Sequence, residues 1–286
     1  MRLGHFSDVH ITQPPLSEGW KGLWGKRLAG SANYWLGGRG RHFDGSAQRL
    51  EALLLDLEGQ SVDHGLCTGD LTQMSFEGEF ERCAQAFGPR LRAPERWTVI
   101  PGNHDRYTPE AAGRFERWFG PLSSPEGYPW VRRLGDGVVL VCIDVARPVT
   151  LLDSSGLCGH AQLRALRDVL SQQMDQVFVI VALHYGLLRA DGGPDRPHHG
   201  IRDYAGLLAL FDDPETRVDL VVHGHLHRPF LLPRSSYAIA CAGSATDLAY
   251  GGTYQIIDVP TDRGRASIER RRWNGAAWVA DTRLQL

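Results

Sequence analysis

Five strand-like runs punctuate this chain, and each one ends in a short motif rich in Asp, Asn or His. The run Leu3 to Ser7 leads into Asp8-Val9-His10, and Val62 to Cys67 leads into Gly69-Asp70. Trp97 to Ile100 leads into Gly102-Asn103-His104-Asp105. Val177 to Leu183 ends at His184, and Val218 to Val222 ends at Gly224-His225-Leu226-His227. Runs of this length and composition read as strands. A sixth, Val138 to Ile143, carries no such motif. Between the runs lie helix-like segments. Gln48 to Leu57 and Ala161 to Leu170 place leucines at i, i+3, i+4, and Glu77 to Phe87 and Pro109 to Phe119 also read as helices. Alternating strands and helices predict an α/β fold. After His227 the texture changes: Tyr237 to Cys241, Thr253 to Val259, Ala266 to Arg272 and Ala277 to Asp281 read as consecutive strands, an antiparallel β ending.

In open α/β sheets, ligands bind beyond the carboxyl ends of the strands. All five motifs fall there. They supply Asp8, His10, Asp70, Asn103, His184, His225 and His227, the ligand complement of a two-metal hydrolytic site. His104 is left over for proton work. Asp8 and His10 are two residues apart where a strand breaks into a loop, so both can turn toward one ion. A carboxylate such as Asp70 can bridge two cations with its two oxygens. Imidazole, carboxylate and amide together suit first-row ions such as Mn, Fe, Zn, Co or Ni.

Composition sets bounds on this reading. With 286 residues and 42% hydrophobic content, the chain can bury a large core, and no linker divides it, so 1–286 is expected to be one domain. The net charge of -2 is not that of a nucleic-acid-binding polycation, so no stable nucleic-acid partner is expected. Five cysteines, none in a CxxC pair, point to reduced, packed thiols. Removal of a leader of about 15–30 residues would take Asp8 and His10 with it, so a cytoplasmic location is expected.

The five motifs, in this order and over most of the chain, resemble the calcineurin-like metallophosphoesterase superfamily. The resemblance implies an α/β/β/α architecture, a β-sandwich flanked by helices. It implies two divalent or mixed-valence transition metal ions. Asp8, His10, Asp70 and His227 would hold one; Asp70, Asn103, His184 and His225 would hold the other. A hydroxide shared by the two metals would attack phosphorus, and His104 would protonate the leaving oxygen. Asp105 is a candidate outer partner, whereas His5 and His223 read as packing residues.

Departures from subfamily patterns narrow the substrate. Protein Ser/Thr phosphatases of this superfamily carry Asp-Arg-Gly after the GD motif; here Gly69-Asp70 is followed by Leu71-Thr72-Gln73. Related nucleases carry a sizeable domain after GHxH, where this chain has 59 residues. The nearest likeness is the bacterial branch of class III cyclic-nucleotide and glycerophosphodiester phosphodiesterases. A small phosphodiester or nucleotide is the expected substrate. Two other readings stay open: a membrane-surface pyrophosphatase acting on a nucleotide diphosphate lipid-sugar, and a non-catalytic nucleotide- or metal-binding sensor.

Two segments remain. Residues 186–203 are Gly/Pro-rich and follow His184 directly, so they are expected to wall the pocket. His198, His199, Arg202 and Tyr185 are the candidate substrate contacts there, and Arg189, Arg196 and Arg202 are candidates for a second phosphate. The insert at 19–43 is aromatic and basic. Helical spacing puts Trp20, Leu23, Trp24 and Leu28 on one face, with Lys21, Lys26 and Arg27 elsewhere. That composition fits an interfacial helix touching a membrane surface, and equally a helix capping the site.

Overall fold

Strands buried on both faces favour apolar side chains on both, and this is why the runs Val138 to Ile143, Val177 to Leu183 and Val218 to Val222 are almost wholly apolar. The computed structural model describes residues 1–286 except 15, 17–18, 20–26, 29–41, 125, 149–152, 174–176 and 261–264. Its strands are β1 (Arg2–Phe6), β2 (His64–Cys67), β3 (Trp97–Val99), β4 (Trp130–Leu134), β5 (Val138–Cys142), β6 (Phe178–Ala182), β7 (Leu220–His223), β8 (Phe230–Pro233), β9 (Ala238–Cys241), β10 (Thr253–Asp258), β11 (Ser267–Trp273) and β12 (Trp278–Gln285). The helices are α1 (Ser46–Gly59), α2 (Glu77–Phe87), α3 (Arg114–Phe119), α4 (His160–Ser171) and α5 (Tyr204–Phe211).

The strands form two six-stranded sheets, in the orders β12-β11-β10-β1-β2-β3 and β4-β5-β6-β7-β9-β8. Side chains alternate between the faces of each strand. In β5, Leu140 and Cys142 enter a core shared with Leu3, Leu66 and Ile257 of the other sheet. Val139 and Val141 point the opposite way, into a second core with Leu166, Leu170 and Leu207 of α4 and α5. A third core packs Phe6, Val99 and Tyr254 against Leu50, Leu53, Phe80 and Phe119 of α1, α2 and α3. The layers therefore run helix, sheet, sheet, helix, as expected.

Three details differ from the sequence reading. Pro109 to Phe119 is not one helix: a 3-10 turn at Pro109–Ala111 is separated from α3 by Gly113, which has φ 77°. The expected strand at Tyr237 to Cys241 does not begin the antiparallel ending. As β9 it lies in the second sheet, parallel to β7, with β8 as its antiparallel neighbour. The antiparallel ending is β10, β11 and β12, and β10 pairs with β1. Finally, β4 and β8 are edge strands of mixed exposure, too weakly patterned to stand out in the sequence.

All five cysteines are buried free thiols. Most of the insert lies outside the described residues. Within it Arg27 is buried and donates to the carbonyls of Met74 (3.1 Å) and Ser75 (2.9 Å). Leu28 is 60% exposed. At these two positions the polarity is the reverse of the amphipathic pattern, because Arg27 finds backbone acceptors that Leu28 cannot use. Among the described residues no helix is long and apolar enough to cross a membrane.

Far from the strand ends that carry the motifs, His64 is buried between Thr98 Oγ1 (2.8 Å) and the Glu95 carbonyl (3.2 Å). Burial, helped by Arg132, lowers its imidazole to about 4. A depressed folded-state pKa means stability that is present above the ordinary value of 6.5 and lost as pH falls through about 4. His64→Gln keeps hydrogen-bonding capacity without the titration. Urea unfolding across this window should show the variant losing stability less steeply than wild type, by up to about 1.4 kcal/mol per pH unit. Equal slopes would mean that His64 is not held neutral.

Candidate active site

The loops leaving β1, β2, β3, β6 and β7 converge at one edge of the two sheets, and those after β1, β2 and β7 open in unusual backbone conformations. Asp8 (φ 54°), His10 (φ 48°), Asp70 (φ 54°), His225 (φ 66°) and His227 (φ 58°) all lie in the left-handed region. Asp and His tolerate it better than most residues, yet it still costs energy. The payoff is geometric: each chain turns sharply and aims its side chain across the strand ends. The loops are stitched together. Asp8 N–H donates to Gly69 O (3.0 Å), His10 N–H to Asp70 O (2.9 Å) and Ile11 N–H to Leu71 O (2.8 Å).

Both central carboxylates are half engaged. Asp8 Oδ2 accepts the His225 N–H at 2.8 Å, and Asp70 Oδ1 accepts the His104 N–H at 2.7 Å. The other two oxygens face the imidazoles. Asp8 Oδ1 lies 3.3 Å from His227 Nε2 and 3.7 Å from His10 Nε2, and these two nitrogens are 3.0 Å apart. Asp70 Oδ2 lies 3.7 Å from His10 Nε2 and 3.2 Å from His184 Nε2. Asn103 Oδ1 lies 3.1 Å from both His184 Nε2 and His225 Nδ1. Two donor clusters result, one around Asp8, His10 and His227 and one around Asn103, His184 and His225, with Asp70 Oδ2 between them. All seven motif residues are brought together.

The imidazoles are oriented from behind. His184 Nδ1–H donates to Thr68 O (2.7 Å), which turns Nε2 toward Asp70. His227 Nδ1 lies 3.0 Å from Asp247 Oδ2, so Nε2 is the nitrogen turned to the cluster. His225 Nε2–H donates to His199 O (3.0 Å), which leaves Nδ1 facing Asn103. Burial opposes charge on Asp8 and Asp70, but the surrounding imidazoles hold both carboxyls well below the usual range. Burial likewise opposes charge on His184, yet the adjacent Asp70 lifts it to about 9.

These donors fit a cation. Among the described residues, nothing donates a hydrogen bond to the buried Asp8 Oδ1, while two imidazole nitrogens 3.0 Å apart converge beside it. Carboxylate, imidazole and amide oxygen suit borderline first-row ions. Asp8, His10 and His227 form one possible metal-holding group, and Asp70, His184 and His225 another.

The sequence reading had not singled out Asp247 or its loop. Ser244 Oγ donates to Asp8 O (2.7 Å), Ala245 N–H donates to Ser7 O (2.9 Å), and the Thr246 hydroxyl donates to Val9 O. Ser244, Ala245 and Thr246 thus clamp the Asp8 loop, and Asp247 backs His227. No apolar periodicity marks such a loop, and only its Asp was a clue. Phe43, whose ring centroid lies 4.8 Å from that of His10, was also missed as a site residue. Asp105, expected as an outer partner, accepts hydrogen bonds from Leu71 N, Thr72 N and Gly102 N. Burial, with Asp70 nearby, pushes its carboxyl up to about 7 despite those donors. His5, held by Gln255 and Thr68, and His223 are both buried, as their packing roles require.

The cluster floors a cleft of about 970 Å³. His104 and His199 line it, together with Tyr107, Arg189, Arg196, Arg228 and Tyr250. Three expected contacts are not brought there. Tyr185 is fully buried, with its hydroxyl donating to Ser154 O (2.7 Å) and its ring packed on His225. Arg202 pairs with Asp153 and Ser155, which draw it away from the cleft. His198, with φ 46°, lines a separate small groove beside Pro197 and Ile201.

The close approach of the loops depends on Gly224. A Cβ there would meet Ser7 Oγ at 1.9 Å and Asp8 Oδ2 at 2.2 Å. Gly224→Ala should destabilise by about 1–3 kcal/mol and displace Asp8. Gly59→Ala, at the end of α1 with open space around it, should be neutral or stabilising. Thermal unfolding of both variants checks the contrast, and an unperturbed Gly224→Ala would refute the packing argument.

The chain matches the family model described as calcineurin-like phosphoesterase over residues 1–229. No curated protein matches it. Among solved structures it resembles a dimetal phosphatase from Danio rerio, with TM-score 0.67 at 12% identity, covering 99% of this chain and 98% of that one. It also resembles a purple acid phosphatase from yellow lupin (Lupinus luteus) seeds, with TM-score 0.63 at 12% identity, covering all of this chain and 53% of that one. The solved structures share its fold, and the motif-bearing strand ends fall within the matched segment: the chain belongs to the calcineurin-like phosphoesterase family, whose chemistry is metal-dependent hydrolysis of phosphoesters.

Proposed function

We propose that this protein is a phosphodiesterase with a dinuclear metal centre, acting on a small phosphodiester or nucleotide as in the bacterial phosphodiesterase branch. The observation that carries the reading is the position of Asp70 Oδ2, 3.7 Å from His10 Nε2 and 3.2 Å from His184 Nε2. One carboxylate oxygen between two donor clusters suits two cations sharing a ligand. Asp8, His10, Asp70 and His227 would hold one ion; Asp70, Asn103, His184 and His225 would hold the other. When bound, such a pair supplies a water activated near neutral pH and positive charge for the phosphoryl oxygens. The absence of Asp-Arg-Gly after Asp70 supports a diester over a phosphoprotein.

The chain's own part in the reaction centres on His104. Its backbone N–H is bonded to Asp70, and its Nδ1–H donates to Gln73 O (2.5 Å). Its ring stacks on Tyr107 and meets the His10 ring edge-on at 4.8 Å. A ring fixed at both ends and lining the cleft is placed to give a proton from Nε2 to a departing oxygen.

Manganese-loaded enzyme should hydrolyse bis-p-nitrophenyl phosphate with a higher kcat/KM than p-nitrophenyl phosphate. Asp70→Asn should lose metal by elemental analysis and nearly all turnover. A preference for the monoester would overturn the diester reading, and full metal content with normal turnover in the variant would overturn the shared-ligand reading.

His104→Ala should keep its metal and lose rate unequally. A leaving alkoxide needs a proton more than p-nitrophenolate does, so the loss should be larger for alkyl diesters, by about 10²-fold or more. Equal losses across leaving groups would exclude His104 as the acid.

A further inference from the structure

A phosphodiester centre is small, yet the cleft of about 970 Å³ lies near the upper end of the range for small-molecule sites, roughly 300–1,000 Å³. Among the described residues, Arg189, Arg196 and Arg228 line it. Arg189 is already paired, with Asp191 at 2.8 Å. Among the described residues, Arg196 and Arg228 have no carboxylate partner and no side-chain hydrogen bond, although Asp195 and Asp247 line the same cleft.

Both arginines are tied to the cluster through its histidines. Arg228 directly follows His227, and its guanidinium carbon lies 4.9 Å over the Tyr250 ring. That ring packs edge-on to His227 with centroids 6.4 Å apart. Tyr250 is held in turn by its N–H donating to the carbonyl of Asp247 (3.2 Å), the residue behind His227. A guanidinium held over a ring can still present its N–H groups to a phosphate. On the opposite loop, the Arg196 carbonyl accepts the N–H groups of His199 and Gly200, both at 3.0 Å. His199 Nδ1 is anchored to Asp195 at 2.6 Å, and His199 O holds His225. One arginine is therefore placed from each donor cluster.

We propose that Arg196 and Arg228 bind a second, non-scissile phosphate of the substrate, with Tyr250 positioning Arg228. The substrate class is a small phosphodiester that carries a further phosphomonoester. The assignment rests on the phosphodiesterase reading of the same cleft. Arg228 and Arg196 select by charge, and the cluster acts on the diester.

Two compounds with the same reacting bond test it: thymidine 5′-(p-nitrophenyl phosphate) and its 3′-phosphorylated form. Wild type should favour the 3′-phosphorylated compound in kcat/KM by on the order of tenfold, mainly through KM, as expected of charge-assisted hydrogen bonds. Arg196→Ala with Arg228→Ala should bring that ratio close to one, and Arg228→Lys should retain part of it. A wild-type ratio near one, or an undiminished ratio in the double variant, would overturn the proposal. If neither compound releases p-nitrophenolate, the hydrolase reading fails. Calorimetric binding of thymidine 3′,5′-bisphosphate to manganese-loaded protein then decides the arginine site. About tenfold weaker binding in the double variant sustains it, and equal affinity removes it.

Discussion

Five of the seven side chains that meet at the cleft floor stand on backbone in the left-handed region: Asp8, His10, Asp70, His225 and His227. Each such residue costs on the order of 1–3 kcal/mol. The conformation persists because everything around it is over-determined. Behind it, β1, β2, β6 and β7 are almost wholly buried and locked in parallel register. Across it, the Asp8 and Asp70 loops exchange backbone hydrogen bonds, and Ser244 and Thr246 hold the carbonyls of Asp8 and Val9. The rigid double sheet absorbs the strain, and the strain sets the aim of the ligands.

The same economy governs charge. Two carboxylates and three imidazoles are buried within a few ångströms of one another, with His227 half-buried beside them, an arrangement that is costly unless opposite charges are present. The chain gives each carboxylate one backbone donor and leaves one oxygen to the cluster. It gives three imidazoles an outward partner: Thr68 O, Asp247 Oδ2 and His199 O. Such partners fix which ring nitrogen turns inward and are part of a metal site's design. His104 obeys the same rule through Gln73 O, although it stands outside the two clusters around Asp70.

Much of this was legible in the sequence because burial on two faces writes an unmistakable apolar run, and a strand end is where a ligand belongs. Asp8, Asp70, Asn103, His184 and His225 could be placed by that rule alone. Asp247 could not, since its role depends on a loop that returns from β9 to touch β1, a contact between residues distant in the chain. The same limit explains His198, Arg202 and Tyr185. The 186–203 loop does follow His184, but proximity in sequence does not say which side chains turn inward. Asp153 and Ser155 capture Arg202, the Ser154 carbonyl captures Tyr185, and left-handed backbone takes His198 elsewhere. The edge strands β4 and β8 escaped because partly exposed strands lack the uninterrupted pattern.

The pairing of β1 with β10 joins Arg2 to Asp258 and Leu3 to Ile257, so the first strand is completed by nearly the last. Asp8 and His10 precede the rest of their site in the chain. Their partners on the loop after β7, His225 and His227, follow more than two hundred residues later, and the Ser244 clamp later still. Without β10, β1 has an open edge, and without these partners the two earliest ligands have little to hold them. The strained loops that aim the cluster therefore depend on contacts between segments more than two hundred residues apart, and neither side of the site can be completed by its own segment alone.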